Sequence, residues 1–532
     1  MTTRVSQGVP SDGPAAPAAT AGSRRERVLA LLALAVIVGC SLFVVIIAAN
    51  RPNYISATTS PGFFPHWLAG PLGGLWPQFP RGTTTIKDVF TAALVVMYVS
   101  YLVGIRHVPK LDPRWAIAAI LAVQLIFFLS PPLTQTDVFN YIDYARMEVV
   151  HHLNPYTTIP VIEPHSDPAY ALSNWHELMS PYGPLFTIIM FAIVPFGVAV
   201  SFWLVKGLLA IASLGGLLLV WKCAKLLGRD PVKAIVFAGL NPIVLLWGLG
   251  GDHNDFVMVF FLLLAAYLLL RSGAAPPVRR EGAPANGAQA GEAPTQEALT
   301  QEAPTEEAPK VGRRQLLRGW LLPPAWLELL AGVSLAAAVF VKASGAIVVP
   351  VVIAGLARTP RRATQTVLGG IAGTIVFALF SYIAFGAHIP DLGTQGSLVT
   401  DLGLPNLLGL ALGQGGETNM LREILMLALV LVVVLCCVAA WRSGDFVTHA
   451  GWATLGLLVT LAWVLPWYVV WVIPLAALSG SRKLRIATIA FSVYLILAWS
   501  PASSGFFETI GFNPESTALG QLHHRYVREL LN

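Results

Sequence analysis

Two polar stretches in an otherwise apolar chain carry the residue types that acid–base chemistry needs. Residues 132–183 hold six acids (Asp137, Asp143, Glu148, Glu163, Asp167, Glu177) and four histidines (His151, His152, His165, His176). Asp137 comes a few residues after an apolar run ends, in Leu-Thr-Gln-Thr-Asp-Val-Phe-Asn-Tyr, which sets a carboxylate at the membrane surface within reach of a lipid headgroup. A loop facing water must be polar in any case, so composition alone leaves both readings open. With Thr134 or Thr136 as cap, Asp137, Tyr141, Tyr144 and Glu148 fall on one helical face. Val138, Ile142, Ala145 and Val149 form the neighbouring apolar face. The spacing predicts an amphipathic helix lying along the membrane with an acidic, tyrosine-lined side. Asp137 is then either a helix cap or a working carboxylate. Asp143 and Arg146, three apart, make an intrahelical ion pair, unless the planar guanidinium is kept for a phosphate.

The second stretch is Gly250-Gly251-Asp252-His253-Asn254-Asp255, between two apolar runs. Two acids and an imidazole could bind a divalent cation or hydrogen-bond sugar hydroxyls. Gly-Gly and Asp-His-Asn also suit a tight turn. A turn alone does not require four polar side chains at the bilayer edge. Lys342 follows Ala-Ala-Ala-Val-Phe-Val and precedes Ala-Ser-Gly. In that apolar setting it either snorkels or meets a phosphate or one of the acids.

The elements that must position these groups are membrane spans. Of the 532 residues 55% are hydrophobic and only 12% charged, about half the charge of a soluble chain. Mean hydropathy is +0.67. This composition excludes a soluble enzyme, a nucleic-acid binder and a disordered scaffold. The net charge of +6 reads as cytosolic anchoring of loops rather than as an acidic partner. Cys40, Cys223, Cys436 and Cys437 lie in or beside apolar runs and imply neither a disulfide framework nor a zinc pair.

Val28 to Ala49 is a 22-residue run without charge, long enough to span a bilayer. Arg24, Arg25 and Arg27 before it place the N-terminus in the cytosol. Further runs bring the expected total to about 13 membrane helices. Basic clusters at Arg106–Arg114, Lys222–Lys233, Arg358–Arg362 and Arg482–Arg485 mark cytosolic loops, so both polar stretches face outward. Between Pro184 and Trp221 there is room for two crossings where the charge rule wants an odd number, and one segment is read as re-entrant or interfacial. The run 450–480 holds Pro466 and Pro474 and divides into two short spans near Pro466-Trp467-Tyr468. The expected organisation is a disordered cytosolic tail (1–27), an N-terminal membrane module (28–271) and a disordered cytosolic linker (272–320). C-terminal helices (321–500) and a short extracytoplasmic tail (501–532) follow.

Thr136-Asp137-Val138-Phe139-Asn140-Tyr141, continuing through Ala145-Arg146 to Leu153-Asn154-Pro155-Tyr156, resembles the first-loop acidic motif of GT-C glycosyltransferases. Ser180-Pro181-Tyr182-Gly183-Pro184-Leu185 looks like the Tyr-Pro-Pro-Leu segment that re-enters the membrane in that superfamily. Asn241-Pro242 and Gly251-Asp252-His253-Asn254-Asp255 are similar to elements of its polyprenol-phosphate-mannose-dependent alpha-mannosyltransferase branch in actinobacterial envelopes. Many GT-C enzymes carry paired acids, whereas Asp137 stands alone until Asp143, which argues against a loop-bound metal.

The resemblance implies an all-α, polytopic GT-C-like bundle in the cell membrane with an extracytoplasmic catalytic loop. It implies transfer of a hexose, first of all mannose, from a polyprenyl-phosphate donor to a glycolipid or glycan acceptor, with inversion. Asp137 would be the general base, and Arg146 or Lys342 would stabilise the departing phosphate. Tyr141, Asn154, Tyr156, Tyr182, Asp252, His253, Asn254 and Asp255 would contact substrate, with a divalent cation at Asp252, His253 and Asp255 as an option. A nucleotide-sugar enzyme would need a soluble Rossmann-type domain, and no stretch here is patterned for one. The rivals are a secondary transporter or flippase, whose charges would lie mid-membrane in broken helices, and an inactive envelope subunit.

Overall fold

The computed structural model describes residues 24–50, 55, 64–78, 82–273 and 325–502. Among these there is no strand. The helices of the first half are α1 (Arg24–Ala49), α2 (His66–Ala69), α3 (Thr83–His107), α4 (Pro113–Phe128), α5 (Asp137–Val149), α6 (Pro184–Phe191), α7 (Val198–Leu226), α8 (Pro231–Gly239) and α9 (Asp255–Gly273). The second half contributes α10 (Ala325–Val341), α11 (Val349–Leu356), α12 (Pro360–Phe385), α13 (Leu392–Ser397), α14 (Leu404–Ala411), α15 (Asn419–Ser443), α16 (Phe446–Thr460), α17 (Ile473–Leu478) and α18 (Arg482–Trp499). The expected tail 1–27 and linker 272–320 fall almost wholly outside the described residues, as does the C-terminal tail beyond residue 502.

Six of these helices (α1, α3, α7, α9, α12, α15) are long and apolar enough to cross a bilayer, and six further apolar helical segments are shorter. Several of the short ones arise where proline or glycine breaks a run that reads as continuous in sequence. Between Pro184 and Trp221, α6 is eight residues long and ends near Pro195, while α7 takes up all the remaining length. The run 450–480 divides as expected: α16 stops at Thr460, and a 3-10 turn at Pro466–Trp471 precedes α17. Another 3-10 turn, Ala343–Val348, opens directly after Lys342. Polar caps set the boundaries. Asp112, Asp230, Thr418 and Ser481 each accept a hydrogen bond from the first turn of the helix that follows.

The long helices pack side by side, with α10 against α9 and α12. Their backbones come very close where α10 crosses α12: a Cβ on Gly332 would lie 2.0 Å from the Thr366 carbonyl oxygen. Small residues at such crossings replace the hydrophobic effect, which does not act between helices in lipid, by close van der Waals contact. The outer faces of α12 and α15 remain apolar and open, as lipid-facing helices require; Ile383 is 71% and Leu427 68% exposed.

The helix α5 departs from expectation. It begins after Thr136 as the spacing predicts, but it does not lie on a surface with one wet face. Asp137, Tyr141 and Tyr144 are buried, and so are Val138, Ile142 and Ala145 on the supposed apolar side. Residues 150–183 fold back over it: Tyr144 donates to the Leu178 carbonyl at 2.7 Å, and Asn140 donates to Asn174 at 2.6 Å. On another side Phe139 stacks on Phe202 of α7 at 5.6 Å. The capping prediction also fails in detail. The Thr136 hydroxyl makes no hydrogen bond, and the Thr134 hydroxyl donates to the neighbouring Leu133 carbonyl instead of capping α5.

Candidate active site

A cavity of about 320 Å³ opens beside the start of α5, lined by Asp137, Tyr141, Tyr144, Tyr182, Lys342 and an aromatic wall from Trp463 to Trp471. Five chain segments meet here: α5, the 175–182 segment, the Lys342 turn, residues 392–398 and the break between α16 and α17.

Asp137 is 9% exposed. One carboxylate oxygen accepts from Asn140 Nδ2 and from Trp175 Nε1, both at 3.3 Å. The other lies 3.3 Å from His253 Nδ1. Burial pushes the carboxyl up, but the His253 contact, the Trp175 N–H and the Lys342 charge outweigh it, and Asp137 sits below its ordinary range. An ionised carboxylate surrounded by donors, at the edge of a cavity, can accept a proton.

His253 is held in place by a ring stack on Trp467, 3.6 Å between centroids and 9° between planes. Lys342 donates to Asp255 Oδ1 at 2.8 Å, and its ammonium stands 4.7 Å from the Tyr468 ring and 5.3 Å from that of Trp471. Trp471 Nε1 also donates to Asp255. Asp255 is buried while the Lys342 side chain keeps 19% exposure, so the cation, not its counter-ion, faces the cavity. The expectation that Lys342 would meet one of the acids is met. The anchor is Asp255.

Of the remaining sequence candidates, Tyr141 and Tyr182 line the cavity, while Asn154, Tyr156, Asp252 and Asn254 sit behind it. Tyr141 accepts from the Asn254 N–H at 3.2 Å and packs edge-on against Tyr182 at 4.6 Å. Asn154 Nδ2 donates to the Phe385 carbonyl, and its oxygen accepts from the Tyr156 N–H. Tyr156 donates to the Tyr182 carbonyl at 2.8 Å. Asn154 and Tyr156 thus clamp the segment that carries Tyr182. Asp252 does not line the cavity: both its oxygens accept from Lys206 Nζ at 2.9 Å.

Arg146 is likewise elsewhere, and the intrahelical pair with Asp143 is not formed. Its guanidinium grips Asp167 through Nε and Nη2, the shortest contact being 2.7 Å, and His151 approaches the same carboxylate at 2.8 Å. The loop fold decides this: Asp167 comes over α5 from the far side and offers bidentate geometry that Asp143, three residues away on the same helix, cannot. Among the described residues no group of three acids, histidines or cysteines is placed to hold a metal ion.

Sequence reading missed Asn140, Trp175, Lys206 and the wall at Trp463, Trp467, Tyr468 and Trp471. Lys206 had a signal, a lone ionisable residue inside an apolar run. The wall had a weaker one, four aromatics around a proline break between spans.

Asp143 and Glu163 form a second buried acidic pair within the loop, facing each other with Ser173 Oγ donating to Asp143 at 2.9 Å. Burial, opposed by the Ser173 hydroxyl, raises Asp143 to about 6. Burial and the Asp143 charge raise Glu163 to about 10. The pair therefore keeps one proton through the neutral range. A carboxyl raised by folding adds stability below its unfolded value and loses it as pH climbs to the folded value. Hydrogen-exchange protection of residues 160–178 is expected to fall with pH, most steeply up to about 6 and more gently up to about 10. Glu163→Gln, which mimics the protonated acid, should flatten the part above about 6. A flat profile in the unaltered protein would contradict the shared proton.

An all-helical bundle of this build, with its polar groups gathered at span ends around an aromatic cavity, belongs to the polytopic membrane glycosyltransferases of GT-C type. Residues 42–358 match the family described as Alpha-(1->6)-mannopyranosyltransferase, N-terminal domain, and residues 399–522 match the MptB C-terminal domain. The chain belongs to this family. It is 24% identical to Alpha-(1->6)-mannopyranosyltransferase A of Mycobacterium tuberculosis over 82% of its own length and 80% of that protein's. To Alpha-(1->6)-mannopyranosyltransferase B of Corynebacterium glutamicum it is 26% identical, over 68% of this chain and 59% of that one. No solved structure matches it significantly.

Proposed function

We propose that this protein transfers mannose from a polyprenyl-phosphate donor to a glycan or lipid-linked acceptor on the outer face of the cell membrane, with inversion and with Asp137 as general base. The observation that carries the reading is the buried, donor-ringed Asp137 facing the same cavity as the Lys342 ammonium. The acceptor hydroxyl oxygen attacks the anomeric carbon and gives its proton to Asp137, while the bond from that carbon to the phosphate oxygen breaks. Its electron pair leaves with the polyprenyl phosphate, whose growing charge Lys342 neutralises. Attack opposite the leaving group turns a β-linked donor into an α-linked product. Trp175 and Trp463 offer flat apolar faces for sugar rings.

A second cavity of about 380 Å³ supports a lipid-linked donor. It shares Pro181, Ala343 and Leu392 with the first. Phe340, Ala378 and Ile389 make its walls apolar, and Tyr382, on the open face of α12, is 62% exposed. A prenyl chain lying there would reach the bilayer without crossing polar surface. Arg146, tied to Asp167, takes no part in this scheme.

The test is transfer in proteoliposomes from labelled polyprenyl-phosphate-mannose to a panel of glycolipid acceptors. Formation of an α-linked mannosyl product is the expected result. Flipping or uptake of the labelled donor without transfer would make the protein a transporter instead.

A further inference from the structure

Lys206 lies within α7 and is 2% exposed, as buried as the apolar side chains around it. Its partner Asp252, 3% exposed, is 46 residues away and presents both oxygens at 2.9 Å. Taking two charges out of water among spans is costly, and a buried pair rarely outperforms an apolar one in stability. What the pair fixes is geometry. Asp252 has φ +56°, in the left-handed region that non-glycine residues seldom occupy. The backbone of the 250–255 turn is therefore held in a conformation that needs an anchor. Directly after Asp252, the turn delivers three groups in succession to the site. His253 goes to Asp137, the Asn254 N–H to Tyr141, and Asp255 to Lys342.

We infer that Lys206 is a positioning residue: through Asp252 it holds the turn that sets His253 against Asp137 and Asp255 against Lys342. This rests on the reading of Asp137 as the base. A tether buried behind the turn can be rigid without touching substrate.

The decisive variant is Lys206→Met combined with Asp252→Asn, which removes both charges together and leaves no orphan. Asn keeps the shape and tolerates the left-handed backbone. The full-length protein is reconstituted in proteoliposomes, and transfer is followed as a function of pH with labelled polyprenyl-phosphate-mannose. The expected result is a folded protein whose kcat falls by about 10- to 100-fold with little change in donor KM, as a misplaced catalytic group requires. The acid limb of kcat/KM should also move to higher pH, because Asp137 loses the imidazole that favours its ionised form. Unchanged kcat and acid limb would overturn the inference, whether or not the melting temperature falls, and so would a rise in KM alone. If the double variant does not fold, Asp252→Asn alone is measured in the same way, since Lys206 can then shed its proton. Failure of the underlying reading is separate: it would appear as an active Asp137→Asn protein, whatever the Lys206 variants do.

Discussion

Asp137→Asn is expected to lower transfer by two to four orders of magnitude, the range attached to a positioned general base, while the protein stays folded. The side chain that replaces it has the same shape. Its oxygen can still accept from Asn140 and Trp175, which approach the same atom at 3.3 Å. Its amide can face His253 in place of the second oxygen. Only the capacity to take a proton is lost. The measurement is turnover of labelled donor in proteoliposomes, beside a thermal unfolding curve. A folded Asn variant within ten-fold of the unaltered rate would move the base elsewhere.

Lys342→Met should cost about 10²- to 10³-fold, mostly in kcat, because charge on the leaving phosphate grows only as the bond breaks. The control matters here, since Met at this position also strips Asp255 of its cation. Asp255 is fully buried and would keep only the Trp471 N–H, and an orphaned buried carboxylate could distort the site by itself. The double variant Lys342→Met with Asp255→Asn removes that charge. If Lys342 serves the phosphate, single and double variants lose turnover alike. Recovery of the rate in the double variant would mean that the lysine does no more than neutralise Asp255.

Much of the site was legible in sequence because polar residues are rare in this chain, so each one stands out against an apolar background. Asp137, Lys342 and the 250–255 turn were all found in that way. Their grouping was partly legible too: the positive-inside pattern set both polar stretches on one face, and His253 does reach Asp137. Individual partnerships were not. Arg146 has Asp143 within helical reach, yet the folded loop brings Asp167 to it with better geometry. The periodicity of α5 suggested one wet face, because helical spacing identifies faces but does not reveal what covers them. The 150–183 segment covers that face, and nothing in the pattern of α5 announces it.

By itself the sequence determined that this is an all-helical membrane protein, roughly where its apolar runs lie, and which carboxylate stands at a span end. Those follow from local physics: apolar length against bilayer thickness, capping residues, and the cost of charge in hydrocarbon. Tertiary structure alone decided that Asp252 turns away from the cavity to Lys206, that Asp255 anchors Lys342, and that the aromatics around Pro466 wall the site. Each of these joins segments tens to hundreds of residues apart. Such pairings depend on how the spans pack against one another, and close contact between whole helices, rather than any local pattern, sets that packing.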